Sequence, residues 1–331
     1  MDLESIAPLA GKAGLDFIGI NDHHVECEPA EYLKGVLVLK GSEYNLAHSH
    51  YLAYGVARGP DELQLSARET VELVNSQGGL GIIAHPFEKG SPYFSSGRAY
   101  RWQDWDVDGY QGIELWNATS QWKEQTARLL RALFLLVFDP HRPLLVGPCR
   151  EALQKWDMAT RQRHVSGVAG SDLHAPAVKL GCLRLAVLDY PMLFRALNNY
   201  VLLENVPTGD GETDGRAVLA ALAAGRCWFA LDWLASGSGF RFWARHEEKT
   251  FGMGEAVYSQ GRNVELIVKL PREGNIRLLA NGQEFANQQS NSLSVNVSRP
   301  GSYRVEVRLP FRRRLVPWLF SNPIYLREKN L

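Results

Sequence analysis

The stretch that most constrains the fold is residues 14–24, GLDFIGINDHH. It begins as a short apolar run and then breaks, without a polar lead-in, into Asn21, Asp22, His23 and His24. A continuous apolar run of this length predicts a strand that is buried on both faces, as in a parallel sheet. Because α/β folds place their chemistry at the carboxyl ends of such strands, we expect this strand to deliver a carboxylate and two imidazoles to one place.

Further short apolar runs predict strands at residues 36–39, 50–56, 80–84 and 165–169, and residues of the same chemical types lie at their boundaries. These residues are Glu43, His50, His85, Asp172 and His174. Imidazole and carboxylate groups form the ligand sets of Zn²⁺, Mn²⁺ and Fe²⁺ sites. On one face of a barrel, three or more such histidines together with Asp and Glu could hold two or three ions.

Each residue taken alone also has a structural interpretation. His85 precedes a proline at a strand end, Asp172 could cap backbone amides in a turn, and Glu43 could be a solvated loop acid. The coincidence of ligand types at five strand boundaries favours metal binding over these separate explanations.

The 331 residues, 45% of them hydrophobic, are enough for two domains. Up to residue 235, apolar runs alternate with helix signals such as the capping box from Ser66 to Glu69. Beyond it, β-like runs are separated by Gly and Asn, and Asn281-Gly282 predicts a type I′ hairpin. We therefore expect an α/β domain over residues 1–235 and an immunoglobulin-like antiparallel β-sandwich over 236–331.

Composition excludes several classes of function. The formal net charge is zero, which argues against non-specific nucleic-acid binding. The four cysteines lie far apart, which predicts reduced, buried thiols rather than disulfides. No apolar run is long enough for a membrane span, and no signal peptide is visible, so a cytoplasmic location is favoured. The motifs of acyl-enzyme hydrolases and P-loop NTPases are absent.

The ordered motifs resemble the polymerase-and-histidinol-phosphatase (PHP) family over about residues 1–235. They are DFIGINDH at 16–23, GSE at 41–43, HYLAYG at 50–55, IIAHP at 82–86 and GSDLH at 170–174. The resemblance implies a distorted β/α barrel with a site for two or three divalent ions, Zn, Mn or Fe. The second part is similar to the branch of the family that includes carbamate-insecticide (carbaryl) hydrolases, in which a β-sandwich follows the barrel.

The resemblance implies metal-binding roles for six residues: His23, Glu43, His50, His85, Asp172 and His174. His23 and Asp172 would share one ion, His50 and His85 would hold a second, and Glu43 would bridge the two. His174 would serve the remaining site. Asp22 would orient its neighbours without binding an ion directly.

One family motif has no counterpart in this sequence. Members of the family carry an H-x-H motif on a strand that precedes the segment matching residues 15–23. We therefore expect that the natural N-terminus is missing. The barrel would then lack its first strand and expose a parallel sheet edge, which is a stability liability.

The reaction that the resemblance implies is metal-assisted hydrolysis, in which a water of lowered pKa attacks a phosphorus or carbonyl centre. The leading hypothesis is a phosphoesterase acting on a small-molecule phosphate ester. The first alternative is a carboxylic or carbamate ester hydrolase, for which the aromatic stretch at residues 93–105 would form an apolar substrate lid. The second alternative, suggested by the absent H-x-H motif, is a degenerate and non-catalytic binding module.

Overall fold

A computed structural model describes residues 2–57, 59, 65–92, 98–125, 131, 134–135, 138–173, 177–180, 183–186 and 188–328. Across these residues the chain forms a seven-stranded sheet, a ten-stranded sheet and a two-stranded hairpin. The first sheet contains β1 (Phe17–His23), β2 (Glu31–Leu33), β3 (Val36–Asn45), β4 (His50–Tyr54), β5 (Leu80–Ala84), β6 (Gly112–Asn117) and β7 (Ser166–Gly170). The hairpin is β8 (Ala177–Leu180) and β9 (Leu183–Ala186).

The second sheet is built from the strands that follow the hairpin. They are β10 (Leu197–Val201), β11 (Cys227–Leu231), β12 (Arg241–His246), β13 (Lys249–Gly252), β14 (Ala256–Tyr258), β15 (Val264–Ala280), β16 (Gln283–Val297), β17 (Gly301–Phe311), β18 (Arg314–Ser321) and β19 (Ile324–Arg327). The described α-helices are α1 (Leu3–Lys12), α2 (Ala67–Ser76), α3 (Ala118–Gln125), α4 (Arg150–Gln162), α5 (Tyr190–Phe194) and α6 (Gly211–Ala223), and a 3₁₀-helix spans Arg142–Val146.

The first sheet runs in the order β1-β3-β4-β5-β6-β7, with β2 paired to β3. Neighbours are parallel at β1–β3, β5–β6 and β6–β7, whereas β4 is antiparallel to both β3 and β5. This mixed, helix-covered sheet fits the expected distorted α/β barrel. The antiparallel β4 explains why His50 begins its strand: in the register, His50 pairs with Ala84, the residue that ends β5.

Strand β1 differs from the prediction. It was expected to be buried on both faces, but of its seven residues only Ile18 is buried, and Asp22 and His23 are exposed. The reason is position: β1 is the edge of the sheet and pairs, among the residues the structure describes, with β3 alone. Helix α1 covers one face, where Ile18 packs with Ile6 and Ala10.

Local signals predicted several elements well. Ser66 caps α2 and forms the expected capping box with Glu69. The strand at residues 80–84 has the predicted bounds and is buried throughout. Asn281 and Gly282, with φ of 52° and 79°, form the predicted turn between the antiparallel strands β15 and β16. Strand β3 is longer than the predicted run at 36–39, so Glu43 lies within a strand rather than beyond its end.

The second sheet is mainly antiparallel, with β14 and β19 paired in parallel. Strands β10 and β11, from the part assigned to the first domain, join it because β11 pairs with β18. The domain division at residues 235 and 236 stays a prediction, and hydrogen bonds link the two parts. Asn322 bonds both the N–H and the C=O of Gly167, and Arg304 forms a bidentate ion pair with Asp157 of α4 at 2.7 and 2.9 Å.

Two further expectations concern cysteines and membranes. Cys27, Cys149 and Cys227 are free thiols, of which Cys227 is buried and the others half-buried, while Cys182 lies outside the described residues. Among the helices that the structure describes, none combines the length and apolar character needed to cross a bilayer.

Candidate metal centre

Glu43, His50 and His85 bring three possible ligand atoms together at one end of the first sheet. Their ligand atoms all lie within 4.8 Å of one another, and all three residues are buried. His50 Nδ1 lies 3.2 Å from His85 Nε2, Glu43 Oε1 lies 3.5 Å from His85 Nε2, and Glu43 Oε1 also contacts His50 Nδ1. We refer to these three residues as the triad.

The two-residue period of β-strands places Glu43 and His50 on one face of the sheet. Glu43 is in phase with Leu37 and Leu39 along β3, and His50 is in phase with Tyr54 along β4. These apolar residues belong to one core cluster, which Ile82 and Val168 also join. The triad therefore lies at the end of a hydrophobic layer, with His85 added by the turn that follows β5.

The polar atoms of the triad fit a divalent cation. His85 Nδ1 is buried and makes no hydrogen bond to any residue in the described part of the chain. A buried polar atom without a partner costs about 1–3 kcal/mol, so such atoms in a native fold call for an explanation. One carboxylate and two imidazoles facing one another are a suitable donor set for Zn²⁺ or a related first-row ion.

The electrostatics of the triad show strong coupling between the carboxylate and the imidazoles. Burial raises the pKa of Glu43, but the two imidazoles beside it outweigh this effect and hold its pKa well below the usual range. Burial lowers the pKa of His50. For His85, the carboxylates of Glu43 and Asp172 outweigh burial and raise its pKa.

Glu114, which sequence reasoning missed, holds the backbone of His85. The His85 N–H donates to Glu114 Oε2 over 2.8 Å, and Asn117 Nδ2 donates to the same oxygen over 3.0 Å. His85 has a φ of 26°, in the region that non-glycine residues rarely adopt, so this hydrogen bond helps to offset local strain. Burial raises the pKa of Glu114 to about 7. The sequence did contain a signal for this role, because Glu114 is a charged residue inside the otherwise apolar strand sequence GIELWN.

Glu88 is a second buried carboxylate that the sequence did not single out. Its side chain is 1% exposed and lies on the other side of His85, with Oε2 4.0 Å from His85 Nδ1. Oε1 accepts from Lys123 Nζ over 3.0 Å and from Ser120 over 3.3 Å, and Oε2 accepts the N–H of Tyr100 over 3.0 Å. The Tyr100 ring in turn stacks on His50, with centroids 4.1 Å apart.

The other predicted ligands are placed around the triad. His23 pairs with Glu43 in the β1–β3 register, and its ring centroid lies 5.4 Å from that of His50. Asp172, with a φ of 49°, is half-buried after β7 and acts electrostatically on His85. Asp22 is exposed at the end of β1. His174 lies outside the described residues, and the metal-binding role of all six residues stays a prediction.

A cleft of about 280 Å³ opens beside His85. Its lining includes Phe87, Glu88, Glu114, Asn117 and Gln121. The aromatic stretch expected to form a lid is described only in part, because residues 93–97 lie outside the described part of the chain. Within the rest, Trp105 stacks on Phe87 with centroids 5.4 Å apart, so an aromatic pair stands at this side of the site.

Comparison with known proteins gives limited similarity. No protein-family model matches the chain. A protein of Methanocaldococcus jannaschii, described as uncharacterized, is 32% identical over 123 residues, which are 34% of this chain and 65% of the archaeal protein. The match therefore spans slightly less than two thirds of that relative.

One solved structure is similar over nearly the whole chain. It is a two-domain protein from Bacteroides vulgatus ATCC 8482, described as containing a predicted PHP-like metal-dependent phosphoesterase. The match covers 97% of this chain and 90% of that one, with a TM-score of 0.42 and 12% sequence identity.

Proposed function

We propose that this chain is a metal-dependent phosphoesterase of the PHP type that hydrolyses a small-molecule phosphate ester. The observation that carries the proposal is the convergence of Glu43, His50 and His85 on one point, with their ligand atoms within 4.8 Å of one another. The order of the sequence motifs supports the family assignment. A divalent ion in such a site supplies Lewis acidity and a water of lowered pKa.

The chain's own residues prepare this site before any substrate binds. Glu114 fixes the backbone of His85, and Glu88 holds both Lys123 and the N–H of Tyr100. The Tyr100 ring stacks on His50, with centroids 4.1 Å apart. Preorganised groups of this kind stabilise developing charge without reorganising during the reaction. Under this proposal, His23 and Asp172 complete the ligand set.

The experiment is a comparison of hydrolysis and metal binding in the purified protein. Turnover of p-nitrophenyl phosphate and bis(p-nitrophenyl) phosphate would be measured with Mn²⁺ or Zn²⁺ and after chelation, and metal affinity by calorimetry. Metal-dependent turnover is expected, with its loss in Glu43→Gln. Metal affinity in that variant should fall by more than the 10- to 100-fold that is typical when a residue that only orients a metal ligand is replaced. The matched control is Glu212→Gln, an exposed carboxylate on α6 that pairs with Arg216.

The outcomes separate the three hypotheses. Absence of turnover on every phosphate ester in the presence of metal would overturn the proposed phosphoesterase. Faster hydrolysis of p-nitrophenyl acetate or an aryl carbamate than of the phosphates would favour the carboxylic or carbamate ester hydrolase, for which the aromatic residues Tyr100, Phe87 and Trp105 near the site are the supporting observation. Metal binding without any turnover would favour the binding module.

A further inference from the structure

Lys123 is a cation held in a fixed place beside the candidate metal centre. It lies on α3, the helix that follows β6 directly, and its Nζ donates to Glu88 Oε1 over 3.0 Å. The Glu88 side chain is 1% exposed, whereas that of Lys123 is 18% exposed. The ammonium is therefore paired with a buried carboxylate, while the Lys123 side chain stays partly exposed.

The charge of Lys123 is secured by its surroundings. Burial lowers the pKa of its ammonium, but the carboxylates of Asp172 and Glu88 outweigh burial, and the net shift is upward. Glu43 acts in the same direction, so the ammonium lies within electrostatic range of the triad as well. Lys89 makes a useful contrast, because it is 51% exposed and pairs with Glu124 at the surface.

We propose that Lys123 binds the anionic phosphoryl group of the substrate next to Glu43, His50 and His85, and that Glu88 positions the ammonium for this contact. The inference rests on the proposed function. Four carboxylates, those of Glu43, Glu88, Glu114 and Asp172, would otherwise repel a phosphate ester from this region. An ammonium is a cationic group with donors only, and charge-assisted bonds from such a group to phosphate are among the stronger hydrogen bonds.

The interaction of Asp172 with Lys123 supports the proposal that Lys123 binds the phosphoryl group. In the metal-free protein its carboxylate acts on the same ammonium. If Asp172 binds a cation, as the sequence predicts, its charge is compensated and the ammonium can then be shared with a phosphate oxygen. A lysine in such a place acts as a compact point charge with rotatable donors, which suits a phosphoryl group that changes shape during hydrolysis.

The experiment titrates inorganic phosphate into the Mn²⁺-loaded full chain by calorimetry. Lys123→Met should weaken phosphate binding about 10- to 100-fold, the value of a lost hydrogen bond to a charged group. Lys123→Arg, which keeps the charge, should recover most of this loss, and the matched control Lys89→Met should bind phosphate within about twofold of the parent chain. Mn²⁺ affinity is measured for each variant in the same buffer.

Lys123→Met leaves Glu88 as a buried carboxylate without its cation, which could impair folding. The double variant Glu88→Gln/Lys123→Met removes this problem and should show the same loss of phosphate affinity. The inference would be overturned if both variants bound phosphate as tightly as Lys89→Met, or if the parent chain bound no phosphate at all. Lys123-dependent phosphate binding without ester hydrolysis would support the inference while the proposed phosphoesterase failed.

Discussion

Glu114 Oε2 accepts the backbone N–H of His85 over 2.8 Å, so a buried carboxylate on β6 fixes the turn that presents an imidazole from β5. The contact joins two neighbouring parallel strands at the end where the triad lies. It links the stability of the sheet to the geometry of the candidate metal centre, and the first two predictions follow from this link.

Glu114→Ala should destabilise the protein by about 1–3 kcal/mol, because the N–H of His85 loses its buried acceptor. Glu114→Gln keeps an oxygen that can accept this bond and should cost less. Urea unfolding of both metal-free variants measures the difference. Equal stability of the two variants would show that the hydrogen bond to His85 contributes nothing.

Gly170→Ala should disturb the same carboxylate from the other side. A Cβ at this position would lie 2.1 Å from Glu114 Oε1, so the Glu114 side chain would have to move. Overpacking of this kind costs about 1–3 kcal/mol, and we expect Mn²⁺ affinity to fall as His85 shifts. Calorimetric Mn²⁺ titration tests this against Gly252→Ala, where a Cβ would meet only Glu255 Oε2 at 3.5 Å. An unchanged affinity in Gly170→Ala would contradict the prediction.

The stability of the metal-free protein should fall as the pH rises from about 7 to 9. The carboxylates around His85 raise its pKa in the folded state above the unfolded value of about 6.5. The folded state therefore binds more protons in this range, and stability is lost at up to about 1 kcal/mol per pH unit. Urea midpoints across the range test this, and His85→Asn, which cannot titrate, should show a shallower decline. A rise in stability over the same range would be inconsistent with a protonated His85.

Arg304→Met should destabilise the protein by about 3–5 kcal/mol, because it leaves the carboxylate of Asp157 without its cation and Glu306 with Arg277 alone. Arg216→Met, which breaks an exposed pair with Glu212, should cost no more than about 1 kcal/mol. Urea unfolding of both variants gives the comparison. Replacing Asp157, Arg304 and Glu306 together by apolar residues should restore much of the loss, because these three buried charges are removed together and Arg277 keeps its pair with Glu284.

The sequence predicted the elements whose signals lie within a few neighbouring residues. It did not predict features that depend on where an element lies in the folded sheet. The apolar run at 80–84, the capping box at Ser66 and the turn at Asn281-Gly282 carry their own signals, and all three are confirmed. The burial of β1 was wrong because an apolar run does not show whether a strand lies at the edge or the centre of a sheet.

The candidate site was predictable only where a ligand type followed a strand. Glu43, His50 and His85 were named on that basis, and the structure brings them together. The direction of β4, which brings the first rather than the last residue of its strand to the site, depends on sheet topology. Glu88 and Lys123 approach His85 from a loop and a helix, and their contact depends on tertiary packing that the spacing along the chain does not encode.

Because β1 is an exposed edge strand, the fold holds the predicted ligand His23 less firmly than the predicted ligands on the inner strands. Glu43 and His50 lie on inner strands and are buried, whereas His23 sits at the end of a strand with one buried residue. Segments with so few buried contacts open with small free energies, so the amides of β1 should exchange with deuterium far sooner than those of β5. Local opening of this single strand would remove His23 and leave Glu43 and His50 in place. Metal binding through His23 is therefore the part of the site that depends most on the stability of one strand.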